Sequence, residues 1–220
     1  MVVKAKATLR TSGLARRAAR SPRERAEAAD ALAAALAEAP EVRAAATVAG
    51  YVPLAEEPGA GRLPAALPGR VLLPVVPAAG RELSWAVAAG DLVPGRFGLL
   101  EPGGSRLPTD ALAEADVVVV PALAVAGDGT RLGRGGGYYD RALQHARPDA
   151  VLVAVVFDEE LVADLPAGEH DRPVDAVVTP SGGWLYLGRA VAGDHERVTH
   201  VSGHHPGHSD VAAGAPCPPN

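Results

Sequence analysis

The chain has 220 residues, which suits one ordinary domain or a domain with a tail, and its 48% hydrophobic content against 4% aromatics implies a core of Ala, Val and Leu. A net charge of -5 argues against a general nucleic-acid binder, and no run of about 18 apolar residues offers a membrane span. The single cysteine, Cys217, excludes an intramolecular disulfide and a Cys-based metal site, as fits a reducing, cytoplasmic setting.

The opening, Lys4 to Arg20, is Arg-rich and acid-poor. It lacks the apolar stretch of a secretory signal but is compatible in composition with an organellar transit peptide. Ser21-Pro22-Arg23-Glu24 then starts a helix: Ser21 caps, Pro22 suits the first turn, and Glu24 completes a capping box. The helix is expected to run to Ala39, before Pro40, with Ala28, Leu32, Ala35, Leu36 and Ala39 on its buried face.

Strands are expected at Thr47–Val52, Val71–Val76, Leu83–Val87, Val117–Val120, Val151–Phe157 and Ala176–Thr179. Pro74 places the second near an edge or a strand end. The run Val117–Val120 reads as a strand buried on both faces. Helical stretches at Arg62–Leu67, Thr109–Ala115 and Tyr138–Ala146 fall between them. Alternating strands and helices predict an α/β three-layer sandwich with a largely parallel central sheet flanked by helices. That domain spans residues 1–190. Residues 191–220 read as a disordered Gly/Pro/Ser/His-rich tail, and its five histidines, His195, His200, His204, His205 and His208, lack a carboxylate or Cys framework for a metal.

Between Val117 and Arg141 a buried strand feeds a loop carrying Gly127, Gly129, Gly133 and the triplet Gly135-Gly136-Gly137, after which a helix begins near Tyr138. Ligands gather at the carboxyl ends of strands in open α/β sheets. A glycine-rich turn into a helix presents backbone N–H groups and the positive end of the helix dipole to phosphate oxygens. Arg131 and Arg134 add two guanidinium forks, and Asp140 in the first helical turn can ligate Mg²⁺ beside phosphate. The residues alone therefore describe an anion site suited to a nucleotide. They match neither of the standard glycine-rich phosphate motifs.

Gly129-Thr-Arg-Leu-Gly-Arg-Gly-Gly-Gly-Tyr-Tyr-Asp-Arg141 resembles the signature of the 5-formyltetrahydrofolate cyclo-ligases, also called methenyltetrahydrofolate synthetases. Lys6-Ala-Thr-Leu-Arg10, the Ser21–Glu24 helix start, Tyr51-Val-Pro-Leu-Ala-Glu-Glu57, Arg96-Phe-Gly-Leu-Leu-Glu-Pro102 and the segment from His170 to Pro180 resemble further family segments in order and spacing, over residues 4–187. Two departures stand out: some members carry Lys where this chain has Gly136, and Pro58-Gly59-Ala60 follows Glu57, leaving the choice between Glu56 and Glu57 open.

The resemblance implies a single activity: ATP-dependent conversion of 5-formyltetrahydrofolate to 5,10-methenyltetrahydrofolate, with ADP and phosphate released. It implies ATP held by Lys6, Arg10, Arg131, Leu132, Gly133, Arg134, Gly135, Gly136, Gly137, Tyr138 and Tyr139. The folate would meet Val52, Glu57, Arg134, Gly135, Gly136, Gly137 and Tyr138. Arg134, Arg131 and Tyr138 would act on the reacting groups, and Asp140 with Asp175 would hold Mg²⁺. From the residues alone, Lys6 and Arg10 read as a solvated helix face, Asp175 as a plain loop-to-strand residue as readily as a ligand, and Trp85 as a core aromatic rather than a pocket wall. The expected partners are two small molecules, reduced folate and ATP, acting on a monomer with neither nucleic acid nor membrane. The alternatives are a sugar-phosphate or thioester enzyme of similar architecture, which would not hydrolyse ATP, and a non-catalytic folate- or nucleotide-binding module.

Overall fold

A computed structural model describes residues 2–166 and 172–188; the expected tail, residues 191–220, and part of the segment from His170 to Pro180 lie outside the described residues. Three helices come first: α1 (Val2–Ala19), α2 (Pro22–Glu38) and α3 (Pro40–Ala44). The strands β1 (Thr47–Ala49), β2 (Arg70–Val75), β3 (Ser84–Val87), β4 (Leu92–Pro94), β5 (Leu100–Pro102), β6 (Arg106–Leu107), β7 (Val117–Pro121), β8 (Ala124–Ala126) and β9 (Arg131–Leu132) lead to α4 (Tyr138–Ala142). β10 (Val151–Val155), β11 (Leu161–Val162), β12 (Ala176–Thr179) and β13 (Gly183–Tyr186) complete the described chain.

Eight strands form one sheet in the order β13-β12-β10-β7-β1-β2-β3-β6. The five from β12 to β2 are parallel, and β13, β3 and β6 extend the two ends antiparallel. The alternation of side chains along a strand explains the layers. Val117 and Val119 of β7 pack with Leu32 and Leu36 of α2 on one face. Val118 and Val120 point to the other, where Leu112 of the 3₁₀ helix Thr109–Glu114 and Leu143 of the 3₁₀ helix Leu143–His145 cover them. The expected α/β sandwich with a largely parallel sheet is the fold observed, and the valine run is buried on both faces.

α2 starts as its residues predict. Ser21 Oγ accepts from Glu24 N at 3.2 Å and Glu24 Oε2 accepts from Ser21 N at 2.7 Å. Pro74 is the penultimate residue of β2, but the strand itself is internal to the sheet. The β1–β2 ladder runs to Ala49↔Leu72, with Gly50 N donating to Leu72 O at 2.8 Å, and stops where Pro74 has no N–H to continue it. Two helical expectations give way to tighter structure. Arg62–Leu67 is a chain of turns, because Pro64 supplies no N–H donor and Gly59 and Gly61 on its approach take φ of 83° and 77°. Tyr138–Ala146 is one α-turn followed by a 3₁₀ turn.

The segment with transit-peptide composition is α1, docked by charge rather than by apolar burial. Arg17, 2% exposed, forms a bidentate pair with Glu160, 0% exposed, and Arg20 pairs with Glu159 while its guanidinium lies 3.9 Å from the Phe157 ring centre. No helix among the described residues is long and apolar enough to cross a membrane.

Candidate active site

The strand order reverses at β1: the chain moves to β2 and outward on one side, then returns to β7 on the other. In open α/β sheets the crevice at such a switch point collects ligands. A cavity of about 400 Å³ opens there, walled by Tyr51 and Val52 after β1, Pro74 and Val76 at the end of β2, and Pro121, Ala122 and Leu123 at the end of β7.

One wall is the glycine loop. After β8 the chain reverses through a turn in which Asp128 Oδ1 accepts from Thr130 N at 2.8 Å, and β9 carries it back to the cavity as Gly133 to Gly137. Gly135 and Gly137 take φ of 96° and 71°, a region that L side chains rarely adopt. Among the described residues, no amide N–H from Gly133 to Gly137 has an acceptor in the protein. The loop thus presents a run of unengaged donors to the cavity, as an anion site requires. The helix that follows is only five residues long, so these amides rather than a long helix dipole carry the positive potential.

The charged residues sort into distinct environments. From α1, Lys6 and Arg10 both line the cavity, and Arg10 Nε donates to Gly133 O at 2.9 Å, tying the helix to the loop. Arg134 is 44% exposed and donates from Nε to Glu57 Oε1 at 2.9 Å. Arg131 is different: its side chain is 5% exposed and Nη2 donates to Asp140 Oδ1 at 2.6 Å. The two guanidinium forks thus differ: Arg131 is buried against Asp140, while Arg134 stands at the surface of the cavity beside Glu57. Leu132 lines the cavity but is itself buried and caps Leu123 N through its carbonyl at 2.7 Å. Tyr138 and Tyr139 both line it, and Gly136 lies under the Tyr138 ring, where a Cβ would fall 2.9 Å from Cδ2.

Glu57 is the buried acid of its segment, 6% exposed, whereas Glu56 is exposed and does not line the cavity. Glu57 Oε2 accepts from Leu54 N at 3.0 Å, so the carboxylate is fixed by its own turn as well as by Arg134. Tyr51 was not singled out by its sequence context; its hydroxyl is pushed well above the usual phenol range, by burial first and by the Glu57 carboxylate second. Tyr139 is raised for the same two reasons.

Asp175 is not brought to this cavity. It precedes β12, at the amino end of the parallel strands, and its Oδ2 accepts from Leu152 N at 2.9 Å. The pairing of Asp175 with Asp140 around one ion is therefore corrected: the two stand at opposite ends of the sheet. Among the described residues no group of three His, Cys, Asp or Glu side chains is arranged to hold a metal. Asp140, 41% exposed on the cavity wall, fits the other kind of site, in which Mg²⁺ arrives on phosphate oxygens and takes one protein carboxylate. Trp85 is 0% exposed in the core and does not line the cavity.

A hairpin absent from the sequence expectations closes one side. β4 and β5 pair antiparallel, and Phe97 at the tip is 66% exposed in a left-handed conformation, φ 58°. Arg96 holds the tip by donating to Pro77 O at 2.8 Å and to Ala78 O. Glu101, 7% exposed, accepts from Val76 N at 2.9 Å and fastens the hairpin base to β2. Phe97, Leu99, Leu100 and Glu101 all face the cavity.

A family model described as the 5-formyltetrahydrofolate cyclo-ligase family matches residues 2–180. The chain is 47% identical over 149 residues to the 5-formyltetrahydrofolate cyclo-ligase of Mycolicibacterium smegmatis, covering 64% of this chain and 77% of that protein. It is 41% identical over 97 residues to the Escherichia coli K12 protein of the same name, covering 43% of this chain and 52% of that one. The NMR structure of Aquifex aeolicus 5,10-methenyltetrahydrofolate synthetase matches with a TM-score of 0.70 at 28% identity, covering 89% of this chain and 99% of that one.

Proposed function

Because the chain belongs to the 5-formyltetrahydrofolate cyclo-ligase family, matched over residues 2–180, we propose that it uses ATP to convert 5-formyltetrahydrofolate to 5,10-methenyltetrahydrofolate, releasing ADP and phosphate. The observation that carries this reading is the loop Gly133 to Gly137, whose unengaged amides face the cavity between Arg10 and Arg134.

The chemistry needs no nucleophile from the protein. The formyl oxygen attacks the γ-phosphorus and ADP leaves. N10 then closes on the activated formyl carbon and gives up its proton to solvent, and the C–O bond breaks as phosphate leaves. The chain's part is to hold two substrates in line and to stabilise charge on the transferring group. The loop amides and Arg134 would hold the triphosphate from one side, and Lys6 and Arg10 would reach it from α1. Arg131, locked to Asp140, would position that carboxylate. Mg²⁺, where bound with the nucleotide, would neutralise phosphate charge, and Asp140 would hold it.

The folate would occupy the apolar remainder of the cavity. Tyr138 and the hairpin residues Phe97 and Leu99 offer flat and apolar surface, Val52 lies beside the entry to the Glu57 turn, and Glu57 accepts from N–H groups of the pterin. The reading places the enzyme in the cytoplasm as a monomer acting on small molecules. Its test is to mix the purified protein with 5-formyltetrahydrofolate and excess Mg-ATP and follow the near-ultraviolet absorbance of the methenyl product. Product formation that needs both ATP and divalent metal is expected. Binding of both compounds without ADP would leave a binding module in its place.

A further inference from the structure

The cavity wall carries two hydroxyl groups that the proposed reaction does not use. Tyr51 lies just beyond β1, 5% exposed, and Tyr139 lies in α4; both line the cavity. Neither Oη has a hydrogen-bond partner in the protein among the described residues, and both atoms are buried. Buried polar atoms are almost always paired, so hydroxyls left over on a cavity wall are groups whose partner belongs to whatever fills the cavity. Burial and the nearby Glu57 carboxylate both oppose their ionisation, which keeps each a neutral O–H donor at physiological pH.

Glu57 supplies the opposite polarity on the same wall. Its carboxylate accepts from Leu54 N and Arg134 Nε, and two oxygens with about four lone-pair sites leave room for a further donor. Two O–H donors beside a carboxylate acceptor complement a carbonyl flanked by a ring N–H, the edge of a cyclic lactam. An edge where an amino group replaces the carbonyl fits worse: a tyrosine oxygen could accept from that amino group only by turning its own hydrogen toward a wall that offers it no acceptor, and the adjacent ring nitrogen, now without hydrogen, would face the Glu57 carboxylate.

We propose that Tyr51 and Tyr139 donate to the lactam carbonyl oxygen of the ligand while Glu57 accepts from the adjacent N–H, so that the two tyrosines set a preference for 4-oxo over 4-amino pterins. This rests on the folate reading above. It adds Tyr51 to the binding residues and moves the Tyr139 hydroxyl from the nucleotide to the pterin.

The test uses the full chain and compares equilibrium binding of 5-formyltetrahydrofolate with that of its 4-amino-4-deoxy analogue, for the wild type, Tyr51→Phe and Tyr139→Phe. The wild type should prefer the 4-oxo compound by tenfold or more, since a site built to hydrogen-bond one group rejects the analogue lacking it. Each variant should lose about five- to tenfold in affinity for the 4-oxo compound and little for the analogue, roughly one hydrogen bond's worth. Thermal unfolding of both variants should match the wild type, because the lost hydroxyl had no partner in the protein, and Tyr51→Phe should bind ATP as the wild type does. Phe variants that keep the wild-type preference, or lose both compounds equally, overturn the proposal. A clear fall in Tm also overturns it, by showing that the hydroxyl serves the fold. A wild type that binds neither compound refutes the folate reading itself, an outcome visible before any variant is compared.

Discussion

Arg134 Nε donates to Glu57 Oε1 at 2.9 Å, joining across 77 positions of sequence the cation assigned to the nucleotide and the acid assigned to the pterin. The Arg134 side chain is 44% exposed and the Glu57 side chain 7%. Exposure on the arginine side limits the pair itself to about 1 kcal/mol or less, so it can open when substrates arrive. Arg134→Ala is expected to lower kcat and ATP affinity, with a loss of about 2–4 kcal/mol in transition-state stabilisation by analogy with other charge-stabilising donors. Glu57→Gln should raise KM for folate most. Because the two side chains hold each other, Glu57→Gln should also shift KM for ATP, and the double variant should lose less than the two single losses combined. Steady-state kinetics with each substrate varied separately checks this; strictly additive losses would show that the pair couples nothing.

How much of this was legible beforehand depends on the range of each interaction. The glycine loop was readable because its motif is contiguous and its conformational demands are local: Gly135 and Gly137 both take positive φ. The layers were readable because Val117–Val120 announces burial on two faces. Arg17 was not, since its partner Glu160 lies 143 positions away and nothing near Arg17 marks it as buried. α1 has no acidic first turn and no apolar face to signal a docked helix. The hairpin β4–β5 consists of two three-residue strands whose purpose appears only when Glu101 is seen fastened to Val76. Asp175 was misplaced for the converse reason: sequence proximity to a strand does not say which end of the sheet a carboxylate occupies.

Gly135→Ala should damage ATP binding beyond its effect on stability. At φ 96° an added Cβ is strained, at a cost of about 1–2 kcal/mol, and it would also stand 3.2 Å from Arg10 Cζ. Arg10 must then give way by a few tenths of an ångström, which would loosen its bond to Gly133 O. Gly80→Ala is the control, with φ 81° and nothing within 4 Å of the new Cβ. Both variants should lose comparable stability in urea, but Gly135→Ala alone should raise KM for ATP, by about tenfold for the loss of one charge-assisted contact. Equal ATP kinetics in the two would mean that Arg10 plays no part in holding the nucleotide.

Asp116 ties the amino ends of the central strands together, its Oδ2 accepting from Ala46 N at 2.7 Å and Thr47 N at 2.9 Å while Arg147 Nη2 donates to Oδ1 at 2.8 Å. The Thr47 N–H first, against a cost from burial, with the Ala46 N–H and Arg147 in addition, holds its carboxyl below the ordinary aspartate value. A depressed folded value means that the stabilisation is fully present above the ordinary value near 4 and is lost as pH falls through the folded one. Asp116→Ala should therefore cost about 1–3 kcal/mol at pH 7. The gap from the wild type should stay constant down to about pH 4 and close below it. Denaturant midpoints across that range test the sign; a gap that widened in acid would contradict it.

The pair Arg17–Glu160, whose arginine also lines the cavity, should prove a sensitive point in the fold. Arg17 Nε and Nη2 donate to the two Glu160 oxygens at 2.7 and 2.8 Å, and Glu160 Oε2 also accepts from Phe157 N at 3.0 Å. Burial works against the charge on Arg17, but the Glu160 hydrogen bond and its charge outweigh that and raise the guanidinium above its usual value. Glu160→Ala would leave this cation buried at 2% exposure with only the Ala122 carbonyl as a hydrogen-bond partner, at a cost of about 3–5 kcal/mol. That is a large part of the stability of a single domain, typically about 5–15 kcal/mol. Replacing both members together, Arg17→Met with Glu160→Leu, removes the stranded charge and should destabilise far less than Glu160→Ala alone. Catalysis gives a second reading of the same anchor, in which the position of Arg17 on the cavity wall also counts. α1 also delivers Lys6 and Arg10 to the cavity, so Arg17→Met with Glu160→Leu, though folded, should hold them less firmly and raise KM for ATP more than KM for folate. An unchanged KM for ATP in a well-folded double variant would show that the bond from Arg10 to Gly133 O suffices to seat the helix.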